Sequence, residues 1–349
     1  MSLLYSEVEE ELRAAVRDLL ADRCPPAAVL KRAESRPYDP DLWKTLAGEI
    51  GVAGLLVPER HGGAGASARE AAVVLEELGR GIAPVPFFTS SVLATRALVQ
   101  AGAGELLERL ADGRATAALA VSFAASPYRP EHGSSVRVTD GGTLTGTVTG
   151  VAGADVADVL LVPAEGGLYH VEGAEVRVTT SFDLTRPVAA VTLDGADAIR
   201  LGDVDLAGVL RFGAGLLASE QYGVAQWCLD TTLAYVKERH QFARPVGSFQ
   251  AIKHRLADLW LDVVRARAAA RNAVTEDSPI AAAVAQAWNA GVAVRAAEEA
   301  LQLHGGIGMT WEHPLHLYLK RAKSAEVALG TPGDHREALA SLAGVPGPE

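Results

Sequence analysis

Three short stretches of this chain carry residue types that could do chemistry. In "ERHQFARPVGSFQAIKH", Arg239, Phe242 and Gln250 bring together a fixed cation, an aromatic face and an amide. An Arg grips phosphate through paired N–H donors and an aromatic face receives a ring, so the set suits a phosphate-bearing ring cofactor. The same residues also suit a plain helix end near Arg239, where Arg239 and Arg244 complement the dipole as solvated charges, followed by a helix that Ser248 caps. Taken by itself, this segment favours the helix end. In "LQLHGGIGMTWEHPLHLYLKRA", Gly305, Gly306 and Gly308 let the main chain approach a ligand, and Gln302 stands one turn earlier with both a donor and an acceptor. The alternative there is a glycine C-cap and a helix restart near Pro314. In "SAEVALGTPGDHREAL", Gly330-Thr331-Pro332-Gly333 breaks a helical pattern and exposes backbone N–H groups. The residue before it, Leu329, has no side chain that can move a proton.

Other patterns are weaker. Gly63-Ala64-Gly65-Ala66-Ser67-Ala68 matches G-x-G-x-x-A in form, but Pro58 interrupts the approach and helices flank the turn, so it reads as a helix-connecting loop. His304, His313 and His316 lack the carboxylate-rich company of a metal site. Cys24 and Cys228 are far apart and form no CxxC or Cys/His cluster, which argues against a disulfide framework or zinc and fits a reducing cytoplasm. With 43 acidic against 32 basic residues, net charge -11, the chain lacks the basic stripe that nucleic acid requires. Its N-terminus is acidic where a signal peptide would be basic, and no apolar run approaches a membrane span.

Helical and β-rich segments must position these stretches. The 349 residues are 49% hydrophobic but only 5% aromatic, an Ala, Val and Leu mixture that fills helices. Helical periodicity in "EVEEELRAAVRDLLADR" and "AREAAVVLEELGRGIA" marks residues 1–112 as a helical domain. Short β-branched runs such as "LTGTVTG" and "VLLVPA", punctuated by Gly, Asp and Pro, mark 113–210 as a small antiparallel β domain. Over 211–349 the helical period returns in three long segments. In one, Phe249, Ile252, Leu256, Leu259, Val263 and Val264 form a single apolar face, so an antiparallel bundle is expected.

This order, together with "GVAGLLVPERHGGAG", "RHQFARPVGSFQAIKHRLADLW" and "QLHGGIGMTWEHPLHLYLKRA", resembles the acyl-CoA dehydrogenase family over almost the whole chain. The resemblance implies a mostly α fold with a β middle domain and a C-terminal four-helix bundle. It also implies FAD held at subunit boundaries and oxidation of an acyl-CoA at its α,β carbons. Arg239, Phe242, Gln250, Gln302, Gly305 and Gly306 match the family's cofactor-boundary positions, and Thr331 joins them as the Thr of its Gly-Thr pair. Ala243 stands where a Gly is usual.

The same resemblance exposes what is missing. The family's catalytic glutamate falls at Leu329, or in some members at Gly213, and neither is a base, so no catalytic residue is assigned. The Leu329 N–H is expected still to bind a thioester oxygen. Glu220 and Glu326 are nearby carboxylates expected to be solvated or ion-paired. "ALAVSFAASPYRPEHGSS" replaces the family's acidic segment in the middle domain, and its Trp-x-Thr flavin-covering motif is absent. The preferred expectation is a subunit whose base comes from a homologous partner in an α2β2 heterotetramer, as known for steroid-degrading members, with electron-transfer flavoprotein as a further partner. The alternatives are a homo-oligomeric dehydrogenase with a displaced carboxylate and a non-catalytic acyl-CoA- or flavin-binding subunit.

Overall fold

Ser6 and Glu9 start the first helix as a reciprocal cap, the Ser hydroxyl accepting from the Glu9 N–H while the Glu9 carboxylate accepts from the Ser6 N–H. The computed structural model describes residues 3–35 and 37–345. Among the described residues six α-helices precede the first strand: α1 (Glu7–Arg23), α2 (Pro26–Ala33), α3 (Pro40–Lys44), α4 (Ala68–Gly81), α5 (Thr95–Ala101) and α6 (Gly104–Ala111). A π-helical turn, Phe87–Ala94, runs directly into α5. The loop holding Gly63 and Gly65 ends in another reciprocal cap, Ser67 with Glu70, that opens α4. That is the helix-connecting role expected of it.

Eight strands follow: β1 (Ala117–Leu119), β2 (Arg137–Val138), β3 (Leu144–Ala152), β4 (Val159–Ala164), β5 (Gly167–Val171), β6 (Glu175–Thr179), β7 (Val188–Ala196) and β8 (Ala198–Asp203). They form two four-stranded sheets, ordered β1-β4-β5-β8 and β2-β3-β7-β6. Pairing is antiparallel apart from β1 with β4, where the chain detours through the second sheet and so returns in the same direction. β4 is buried throughout, and its period of two explains why. Leu160 and Val162 join Val148 and Val191 in a core between the sheets, while Val159 and Leu161 face the helices.

The C-terminal half contains α7 (Leu206–Glu238), a short hairpin of β9 (His240–Gln241) and β10 (Arg244–Pro245), α8 (Gln250–Glu276), α9 (Pro279–His304), α10 (Leu315–Val327) and α11 (Pro332–Leu342). Leu256, Leu259 and Val263 on the expected apolar face of α8 are buried. α7 and α4 cross very closely: a Cβ at Gly223 would lie 2.0 Å from the Glu76 carbonyl oxygen, and one at Gly79 would lie 2.2 Å from that of Glu220. Among the described residues no helix is long and apolar enough to cross a membrane.

A buried charge cluster joins the β domain to the bundle. Arg321 of α10 donates to Asp183, to Glu220 of α7 and to the Thr185 hydroxyl, and Arg186 donates to the other Glu220 oxygen. Burial alone would raise both carboxyls, yet the two guanidiniums hold Asp183 and Glu220 below the usual carboxylate range. Their stabilising contribution is therefore complete above the unfolded carboxylate value, about pH 4, and is lost as pH falls below it. Replacing Arg321 strands Asp183 and leaves Glu220 to Arg186 alone. Arg321→Ala is expected to cost about 3–5 kcal/mol in chemical denaturation, whereas a loss under ~1 kcal/mol would show that water already reaches the cluster.

Candidate functional site

The turn that follows α10 is held from several sides. Carbonyls at the end of a helix have no intrahelical partner. Here Gln221 of α7 donates to the Ala325 carbonyl at 3.1 Å, and Gln286 of α9 donates to that of Ala328 at 3.3 Å. Leu329 then takes a left-handed backbone, φ 53, and Gly330 follows at φ 95. Thr331 caps α11, its N–H and its hydroxyl both donating to Asp334 while the hydroxyl accepts from the Asp334 N–H.

Leu329 is fully buried. Its N–H donates to the carbonyl of Phe123 at 2.8 Å, so the donor expected for a thioester oxygen is already engaged. Its carbonyl accepts from His335 Nε2 at 3.0 Å, and His335 Nδ1 accepts from the Tyr128 hydroxyl at 2.9 Å, which assigns the proton to Nε2. Burial lowers the proton affinity of His335, in keeping with a neutral ring. Arg129 bonds Asp334 at 2.8 Å, and Ser126 and Pro127 close over Gly330. Phe123, Ser126, Pro127, Tyr128 and Arg129 all belong to the divergent segment of the middle domain. Its divergence and the aliphatic residue at the turn are thus one feature, a seal.

Gly213 faces the same space. A Cβ there would meet Leu93 Cδ2 at 2.4 Å and Leu329 Cδ1 at 3.0 Å, so the two positions expected to hold a base lie together and are packed with aliphatic carbon. Neither nearby carboxylate replaces them. Glu220 is locked between Arg186 and Arg321, and Glu326 pairs with Lys323 at 3.7 Å. Leu329 and Gly213 line neither the cavity of about 40 Å³ bounded by Phe88, Thr89, Gly153, Asp155 and Arg186 nor that of about 490 Å³ bounded by Tyr128, Arg129, Arg211 and Asp334.

The other candidates gather at the far end of the bundle. α7 ends at Glu238 and the chain turns through Phe242 and Ala243, both left-handed at φ 53 and φ 60. An Ala in that conformation costs about 1 kcal/mol that a Gly would not. Phe242 is 88% exposed and sits edge-on to Phe249, over which the Arg244 guanidinium stacks at 3.8 Å. Arg239 and Gln250 are exposed. Ser248 does not cap α8; Phe249 occupies that position, and the Ser248 hydroxyl is buried without a partner because a 3-10 turn, Val246–Ser248, draws it inward.

Tyr235 stacks on His304 at 4.4 Å, bringing the Gln302–Gly306 turn alongside Arg239. Gly305, at φ 62 and ψ -138, adopts a conformation that suits glycine, and a Cβ on Gly305 or Gly306 would meet nothing within 4 Å. No internal packing therefore requires Gly306; open space for an outside molecule does explain it. Thr331 does not belong to this group. It neighbours Leu329 and Gly213, roughly 40 Å from Arg239 along α7, and its polar atoms are spent on Asp334. The three histidines gather at the Arg239 end without metal geometry, since among the described residues no three His, Cys, Asp or Glu side chains are placed to hold a metal.

Sequence reasoning missed Phe123, Tyr128, His335, Gln221 and Gln286, the fasteners of the seal. His335 lay in one of the three stretches singled out, and the divergence of the Phe123 segment was its only signal. Leu329→Glu is expected to lower stability by roughly 3 kcal/mol, because it buries a carboxylate beside Leu93 with no partner, and to leave the isolated chain unable to oxidise acyl-CoA. A variant as stable as the parent and newly active would show that the seal opens freely.

Comparison with known proteins identifies relatives over nearly the whole chain. The profile "Acyl-CoA dehydrogenase, N-terminal domain" matches residues 6–117 and "Acyl-CoA dehydrogenase, C-terminal domain" matches 204–342. The acyl-CoA dehydrogenase IpdE2 of Mycolicibacterium smegmatis is 38% identical over 97% of this chain and 98% of its own. Among solved structures, the ChsE4-ChsE5 complex of Mycobacterium tuberculosis superposes with a TM-score of 0.86 at 30% identity, covering 99% of this chain and 100% of that one. A variant of the Tcur3481-Tcur3483 steroid ACAD superposes with a TM-score of 0.85 at 30% identity, covering 97% and 98%.

Proposed function

Because the chain belongs to the acyl-CoA dehydrogenase family, we propose that it serves in an assembly that oxidises an acyl-CoA thioester between its α and β carbons, with FAD as cofactor and the base supplied by a homologous partner subunit. One observation carries this reading: Leu329 and Gly213 are packed against each other, while Arg239, Phe242, Gln250, Gln302, Gly305 and Gly306 are turned outward at the opposite end. When bound, the flavin supplies the acceptor for the β-hydride.

The residues present fit a flavin dinucleotide at one of these places and not the other. The space beside Leu329 is filled where Leu93 and Leu329 pack on Gly213, and the Leu329 N–H is taken by the Phe123 carbonyl. At the outer end, Arg239 is free to take a phosphate through paired N–H donors, Phe242 offers a ring face, Gln250 and Gln302 offer amides, and Gly305 and Gly306 admit close approach. There this chain binds and orients a cofactor whose reacting part lies in the partner. A partner subunit carrying a carboxylate at the position matching Leu329 or Gly213 takes the α-proton.

Exposed Trp260 and Leu261 on α8, with Ile280, Val284 and Trp288 on α9, supply apolar surface for association. The ChsE4-ChsE5 structure is a complex of two named chains and the Tcur3481-Tcur3483 protein is titled a steroid ACAD. We extend both features to this chain, as an α2β2 heterotetramer acting on a steroid-derived CoA thioester with electron-transfer flavoprotein receiving the electrons. Two free, buried cysteines accord with assignment to the cytoplasm.

Co-expression with a homologous base-bearing subunit is expected to give a yellow complex that reduces an artificial acceptor with acyl-CoA, while this chain alone does not. In that complex Arg239→Ala is expected to weaken flavin retention at least about tenfold, the equivalent of one charge-assisted hydrogen bond of ~1.5 kcal/mol, with unchanged thermal stability. Turnover at ordinary enzymatic rates by the isolated chain would overturn the division of labour.

A further inference from the structure

The outer end of the bundle is held by a ring stack that the proposed chemistry leaves unused. His304, the last residue of α9, lies nearly flat on Tyr235 of α7, the planes 19° apart. The carbonyl of Tyr235 accepts the Arg239 N–H at 2.8 Å, and His304 is joined by its own peptide bond to Gly305. One imidazole therefore spans the segment that carries Arg239 and the segment that carries the glycine turn. His304 Nδ1 lies 2.8 Å from the Ala300 carbonyl, which places the ring proton on Nδ1 and leaves Nε2 a bare acceptor. That Nε2 is buried without a partner.

The surroundings disfavour a second proton. His313 lies 4.9 Å from His304, ring to ring, and Trp311 stands edge-on to His316 of α10 at 4.6 Å. Lys320 of α10 acts on His316 as a like charge and sits over the Trp311 ring at 4.2 Å. Glu34, next to the end of α2, acts on His316 and Lys320. From α7 the facing group is Tyr235. Burial, ahead of all other causes, lowers the proton affinity of His304, His313 and His316, and His304 and His316 further oppose a charge on His313.

We propose that His304 is a positioning residue for cofactor binding: as a neutral ring stacked on Tyr235 it sets Arg239 and the Gly305–Gly306 turn in register, and protonation releases that register. The inference rests on the reading that this end receives a dinucleotide. It adds an acid limit to cofactor retention that Arg239 itself, always charged, does not impose.

The test uses the flavin-loaded complex with its partner subunit at about pH 8 and about pH 5, the lower point set well beneath the ordinary histidine value because burial lowers that of His304. Retained flavin is measured after gel filtration, and amide exchange over residues 302–312 of this chain is measured in parallel, corrected for the intrinsic effect of pH. Wild type is expected to lose flavin several-fold at the lower pH, with faster exchange across the turn. His304→Phe, which keeps a flat ring but takes no proton, is expected to abolish both acid effects. His304→Ala is expected to show the loss at both pH values. A Phe variant that follows the wild-type acid loss, or an Ala variant that retains flavin like wild type, overturns the proposal. If Arg239→Ala releases flavin and His304→Ala does not, the proposal alone falls. If neither changes retention, the dinucleotide reading falls and takes the proposal with it.

Discussion

A peptide N–H removed from water costs free energy unless something accepts its hydrogen bond, and at Leu329 the acceptor is the carbonyl of Phe123. In a seat for a thioester, that N–H would stay open for the substrate oxygen. Here the chain satisfies it internally and then builds outward: His335 bonds the Leu329 carbonyl, Tyr128 bonds His335, Arg129 bonds Asp334 and Asp334 caps α11. Each link uses a polar group that would otherwise be buried or left at a helix end. The aliphatic side chain beneath is then in keeping with its surroundings, because a carboxylate there would have neither water nor a cation.

The seal and the outward-facing end follow from one long helix. α7 places Gly213 near its start, against Leu329, and delivers Arg239 immediately after its last turn. Glu220 lies between them, pinned by Arg186 and Arg321 into the junction with the β domain. Helix α7 is thus fixed at its middle by buried charge and near its start by the close packing of Gly213, and its far end delivers Arg239 to the outside. On our proposal that asymmetry is the function: the chain gives cofactor contacts away and receives none beside Leu329.

Much of the fold was legible in the sequence because it depends on local chemistry. α1 and α4 start at Ser-x-x-Glu caps visible as such, and their apolar spacing is helical. Gly305 could be read as a helix-ending glycine, and the structure gives it the φ that requires one. That neither Leu329 nor Gly213 has a side chain able to take a proton was likewise readable from residue types alone. The engaged state of the Leu329 N–H was not, since its acceptor comes from a distant segment of the β domain and a carbonyl leaves no mark in a sequence. Ser248 misled for a related reason: its type suits a cap, but the 3-10 turn before α8 shifts the cap to Phe249. Thr331 matched a family position yet forms a helix cap whose strength depends on Asp334, a local pairing that outweighs the analogy.

Counting flavins tests the proposed division of labour most directly. Native mass spectrometry of the complex between this chain and its base-bearing partner resolves how many FAD molecules each assembly carries. A chain whose own seat is sealed by Leu329 and Phe123 can lend contacts to a neighbour's cofactor but holds none beside its own turn, so two FAD per α2β2 assembly is the predicted result. Four FAD per assembly, one for every chain, would contradict it.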